Sequence, residues 1–165
     1  MDYSKWIDNN LKIIEIKMIK SMRQKVTEGK NLTSSTFSGT DYLNSGFDII
    51  TAEIIKITTE FGKLKFSKKK HILEIREKLK KFVEMKSEYI KNFIESNTRV
   101  AIGKSPLEHK VEETMNVLMI YTEIINQERK ARVYKFWWDT LKIFITAIIG
   151  GLIGGYLKDI FGGSS

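Results

Sequence analysis

Residues 105–157 read SPLEHKVEETMNVLMIYTEIINQERKARVYKFWWDTLKIFITAIIGGLIGGYL, and the partition of this stretch decides the fold. It opens on Ser105-Pro106-Leu107-Glu108, which combines a capping serine, a proline suited to a first helical position, and the glutamate of a capping box. Leu107, Val111, Met115, Leu118, Thr122 and Ile125 then recur at three-to-four spacing, the stripe of an amphipathic helix. No glycine or proline lies between Pro106 and Gly150. The helix therefore either runs unbroken or bends near residues 126–135, where polarity changes. From Phe136 to Leu157 only Asp139 and Lys142 interrupt the apolar character, and fifteen uncharged residues separate Lys142 from Lys158. A span needs roughly 20 apolar residues, so the flanks must supply the difference. Trp137 and Trp138 at one end and Tyr156 at the other suit the membrane interface, and Lys142 and Lys158 can snorkel to headgroups. Asp139 and Lys142 stand three apart and are expected to pair. These features read as a single C-terminal transmembrane helix, against the alternatives of a helix lying in the interface or a buried core helix.

Working outward, the rest of the chain is also helical in pattern. A single proline in 165 residues, with abundant Lys, Glu, Ile and Leu, argues for long helices over sheets. A first helix is expected from Tyr3 to Glu28, with Ile7, Leu11, Ile14, Met18, Met22 and Val26 on one stripe and Gly29 ending it. A second should start near Ser38 or Thr40 and reach Phe61, with Leu43, Phe47, Ile50, Ile54, Ile57 and Phe61 in a seven-residue repeat. Ser67 is expected to cap a third over 68–95, whose inner face is Ile72, Ile75, Leu79, Phe82, Ile90 and Phe93. The expected fold is all-α: an antiparallel bundle of about four long helices, the last running into the membrane segment. Its divisions are a bundle over 1–130, a juxtamembrane and transmembrane helix over 131–161, and a tail over 162–165 that resembles a linker left by a tag.

The net charge of +8 is local. Residues 63–81 hold nine basic and two acidic groups, and so supply seven of those eight charges. Lys63, Lys65, Lys68, Lys69, Lys70, Arg76, Lys78, Lys80 and Lys81, with His71, form a candidate anion site. Its ligand would be lipid headgroups or a phosphate-bearing nucleotide or oligonucleotide. Phe61 and Phe66 could stack on bases or belong to the core. The competing reading is a solvated basic face.

Gly150-Gly151-Leu-Ile-Gly154-Gly155 gives two overlapping small-xxx-small pairs, a flat strip against which another helix can approach in lipid. Glycines lower helix propensity and insertion, so close packing between copies gives them a purpose. A homo-oligomer is expected. Around a pore, Asp139 would ring the mouth; in the plainer reading it forms an interfacial ion pair.

No catalytic constellation is present, and the chain holds no cysteine. Enzyme activity, a metal and a cofactor are not expected. Met1-Asp-Tyr-Ser-Lys-Trp lacks a signal-peptide core, so the bundle is expected to stay on the cytoplasmic side of a bacterial inner membrane.

A Lys/Glu-rich helical domain, the basic patch at Lys63–Lys81, and the short span Ile143–Leu157 with its doubled glycines resemble the small transmembrane effectors of bacterial anti-phage defence systems. That resemblance implies an oligomer that permeabilises the membrane on a nucleotide, oligonucleotide or partner-protein signal. It covers organisation alone and transfers no residue role. Holins and tail-anchored apoptosis-type bundles share the outline. The other reading is a tail-anchored adaptor recruiting a protein or nucleic acid to the membrane, and a weaker one is a soluble helical assembly subunit.

Overall fold

The computed structural model describes residues 3–31, 39–64, 68–98 and 100–161, with side chains as far as Gly150 apart from residues 30 and 31. Ser67 and the 162–165 tail lie outside the described residues. Four helices and no strand are found among those described: α1 Tyr3–Asn31, α2 Gly39–Gly62, α3 Lys69–Asn97 and α4 Lys104–Phe161. The chain divides into two compact units, Met1–Asn126 and Gln127–Ser165.

In the first unit the sequence stripes become the core. Leu43, Phe47, Ile50, Ile54, Ile57 and Phe61 of α2 are all buried, as are Ile7, Ile14, Met18, Met22 and Val26 of α1. Ile72, Ile75, Leu79, Phe82 and Ile90 of α3 and Leu107, Leu118 and Ile125 of α4 complete the core. Leu11, Phe93, Val111 and Met115 pack against it half-buried. Each fully buried aliphatic side chain contributes about 1.5–3 kcal/mol relative to exposure, so the stripe, more than local propensity, holds these helices.

Side-chain contacts fix the directions. Tyr3 and Trp6 meet Phe61 at 5.7 and 6.2 Å, while Met22 faces Gly46, so α1 and α2 are antiparallel. Lys78 binds Asp8 and Lys86 binds Glu15, so α1 and α3 run in the same direction. Gly39 abuts Ile102 and Thr51 bonds Thr114 at 3.1 Å, which makes α2 and the first turns of α4 parallel. Ile72 and Arg76 share a groove with Thr122 and Asn126. The order is up-down-up-down, with α1 and α4 each seated against α2 and α3. Gly46 lets α2 and α3 approach: a Cβ there would stand 3.0 Å from Ile90 Cδ1 and 3.2 Å from Met22 Sδ. The α2–α3 diagonal is thus short, which leaves α1 and α4 at the two outer corners.

Helix ends differ from the sequence expectation. α1 continues past Gly29 to Asn31, because no glycine among the described residues adopts positive φ and Gly29 is not a left-handed cap. The N-cap of α3 is Lys68, extended and without a side-chain cap bond; its carbonyl accepts from the His71 and Ile72 amides. α4 starts at Lys104, one residue before the expected Ser105 cap, and runs as one helix without a break at 126–135.

Among the described residues no helix is long and apolar enough to cross a membrane. The expected single span is therefore not found there. Of Ile143–Leu157, side chains are described only over Ile143–Gly150, and these eight positions fall short of the roughly 20 a bilayer core requires.

Candidate functional site

The second unit presents the most unusual surface. Phe136, Trp137, Ile143 and Phe144 are 66–71% exposed, and Val133, Tyr134, Trp138, Leu141, Ile145, Ile148 and Ile149 are exposed as well. At about 100° per residue, Ile143, Phe144, Ile145, Ile148 and Ile149 span roughly two thirds of the helix circumference, and the remaining flank carries Lys135, Asp139, Lys142 and Thr146. So wide an exposed apolar arc is suited to lipid or to the interior of an assembly. Two hydroxyls within this stretch bond its own backbone. Thr140 and Thr146 donate to the carbonyls of Phe136 and Lys142, each at 2.8 Å. Gly150 has open space where a Cβ would stand. The glycine-strip positions Gly151, Gly154 and Gly155, and the interface candidates Tyr156 and Lys158, lie outside the described side chains.

The pairing expected between Asp139 and Lys142 is not made. Lys142 Nζ lies 5.6 Å from the centre of the Trp138 ring, one turn back. A cation over an exposed indole is worth about 0.5–1 kcal/mol, similar to an exposed ion pair. Asp139 is exposed and makes no ion pair among the described residues.

The basic cluster does not converge on one point. Helical spacing distributes it over three sides of α3. Lys69, Arg76 and Lys80 form a row on the flank towards α4, where Lys69 and Arg76 line a shallow groove with Ile72, Leu73, Thr122, Glu123 and Asn126. Lys70 and Lys81 stand on the exposed face, interleaved with Glu77. Lys78 turns towards α1, donating to Ser4 Oγ at 2.8 Å and Asp8 Oδ1 at 2.7 Å. It is a structural tether. His71 also faces α1, its ring 4.5 Å from that of Tyr3. Lys80 approaches Glu84 at 4.0 Å. Lys63 and Lys68 are exposed, and Lys65 lies outside the described residues. Phe61 is 1% exposed and cannot stack on a base; Phe66 lies outside the described residues.

Sequence reading missed Lys86, which is 7% exposed and bonded to Glu15 at 2.5 Å, with Phe82 and Tyr89 rings beside its ammonium. Its position seven residues after Leu79 and four before Ile90, on the inner stripe, was the available signal. Among the described residues no group of three His, Asp or Glu side chains converges to hold a metal. The hydrogen bond from Lys110, and then its charge, hold the Glu113 carboxyl below the usual carboxylate range. No protein-family model, curated protein or solved structure matches this chain.

Proposed function

We propose that the protein is a membrane effector: its C-terminal helix inserts into a bilayer, copies associate there, and the bundle receives the signal that controls them. The observation that carries this reading is the wide arc of exposed apolar side chains on α4 from Phe136 to Ile149. A groove on a soluble protein covers a narrow stripe of a helix, whereas lipid covers an apolar arc this wide. In sequence the uncharged run continues to Leu157, with Trp137, Trp138 and Tyr156 at its margins. Arg129, Lys130, Arg132 and Lys135 on the bundle side, against Lys158 beside Asp159 beyond it, favour a cytoplasmic bundle in a bacterial inner membrane.

The doubled glycine strip supports association of the inserted helices and, through it, a pore or a perturbed bilayer. The division of the basic cluster narrows its candidate ligand surface to the Lys69–Arg76–Lys80 row, so the signal is either a phosphate-bearing ligand on that row or a partner protein. Membrane potential in cells expressing the chain tests the effector reading. The native chain should depolarise the membrane when stimulated, and a variant with Leu at Gly150, Gly151, Gly154 and Gly155 should remain membrane-bound without depolarising it. Depolarisation that survives these four changes refutes the glycine-strip mechanism. If neither version depolarises with or without stimulus, the chain is a tail-anchored adaptor.

A further inference from the structure

Among the described residues, α1 and α4 each carry an exposed isoleucine pair on an outer face, and these two faces sit at opposite corners of the bundle. On α1, Ile13 and Ile16 are 47% and 67% exposed, and Ile16 and Ile19 border a shallow apolar depression with Lys20 and Arg23. Lys12 lies on the same outer face. The acidic residues nearest it in sequence turn elsewhere: Asp8 and Glu15 point to Lys78 and Lys86 of α3. Lys12, Lys20 and Arg23 make no ion pair among the described residues, so this face is apolar and purely cationic.

On α4, Ile120 and Ile124 are 58% and 43% exposed, with Val117 beside them half-buried. Here the surrounding charges have the opposite sign. Glu112 and Glu123 border one edge of the patch without ion pairs among the described residues, Glu123 also lining the groove that holds Lys69 and Arg76, and Glu113 is bonded to Lys110 at 2.7 Å. Each face is about two helical turns long. When α1 and α4 are set antiparallel, Lys20 and Arg23 meet Glu112 while Lys12 meets Glu123.

We propose that the outer face of α1 docks on the outer face of α4 of a second copy of this chain. Because the two faces are different surfaces on opposite corners, the contact is heterologous, and repetition gives a ring or an open array. The apolar centres supply the buried area, and the charged rims select the α1–α4 pairing over α1–α1 or α4–α4, each of which would oppose like charges. This contact rests on the bundle alone and persists even if the C-terminal helix never inserts. It would also gather those helices side by side.

The chain contains no cysteine, which makes the test clean. Full-length Ile16→Cys and Ile120→Cys variants, each purified in mild detergent, are mixed in equal amounts and treated with a short bis-maleimide that tolerates a register error of one turn. The expected product is a mixed 16–120 dimer in excess over both homodimers, and the double variant should give a ladder of larger species. Lys20→Glu with Arg23→Glu on the Ile16→Cys chain should cut the mixed product about tenfold. Adding Glu112→Lys with Glu123→Lys on the Ile120→Cys chain should restore it. Homodimers alone, no product, or a yield insensitive to these charges overturns the proposal, including the case in which the α1 face instead binds anionic lipid. Flotation of the same samples with vesicles reports membrane insertion separately, so failure of this contact and failure of the membrane reading are distinguishable.

Discussion

Replacing Ile148 with Lys should release the protein from membranes. Ile148 is 54% exposed and lies near the middle of the uncharged run Ile143–Leu157, on a helix with no protein covering it within its own unit. Exchanging an apolar residue for lysine near the centre of an inserted helix costs roughly 3–4 kcal/mol, which corresponds to about a 100- to 1000-fold loss in partitioning. Snorkelling reduces the cost near the ends of a span, so the same change at Leu141, beside Lys142, should have much less effect. Met85→Lys is the control: Met85 is 59% exposed on α3, so that variant adds the same charge without touching the apolar helix. Carbonate extraction followed by flotation should find Met85→Lys in the membrane fraction and Ile148→Lys in the supernatant. Co-flotation of Ile148→Lys with the native chain would count against insertion.

Glu15→Ala should destabilise the bundle more than removal of the buried cation that Glu15 serves. Lys86 is 7% exposed, and among the described residues its ammonium has Glu15 as its one hydrogen-bonding carboxylate, with the Phe82 and Tyr89 ring centres at 5.7 and 5.4 Å. Truncating Glu15 leaves a desolvated charge facing ring faces alone, at an expected cost of about 2–3 kcal/mol. Lys86→Met keeps most of the volume and discards the charge. Glu15, with its side chain 40% exposed, then returns to water, and the net change should stay within about 1 kcal/mol. Denaturant unfolding followed by circular dichroism reads both variants. A larger loss from Lys86→Met than from Glu15→Ala would show that the ion pair is itself a net stabiliser.

Periodicity made the fold legible. The six apolar residues from Leu43 to Phe61 form an unbroken repeat, and burying such a stripe is worth more than any local preference of the chain, so all six reach the core. End positions were less legible because backbone carbonyls can satisfy a first turn without a side-chain cap, as that of Lys68 does. The placement of charge was less legible for a different reason. A count along residues 63–81 gathers cations that a helix then separates by 100° steps, sending Lys78 to Asp8 and Lys70 to solvent. Lys142 shows the same effect at short range, since the tryptophan one turn back offers it a better-placed partner than Asp139. The outer faces of α1 and α4 were invisible for a simpler reason: Ile13, Ile16, Ile120 and Ile124 stand among charges in the sequence and become patches only when the bundle turns them outward.

Insertion of the C-terminal helix is the central claim, and its two adjacent tryptophans report on it directly. Trp6, which packs against Phe61 in the bundle, is replaced by Phe so that only Trp137 and Trp138 emit. The full chain is then bound to phosphatidylcholine–phosphatidylglycerol vesicles whose acyl chains carry bromine at defined depths. Interfacial tryptophans flanking a buried helix should be quenched most by the shallowest bromines and progressively less by deeper ones. Emission equal to that in unbrominated vesicles at every depth would contradict the account.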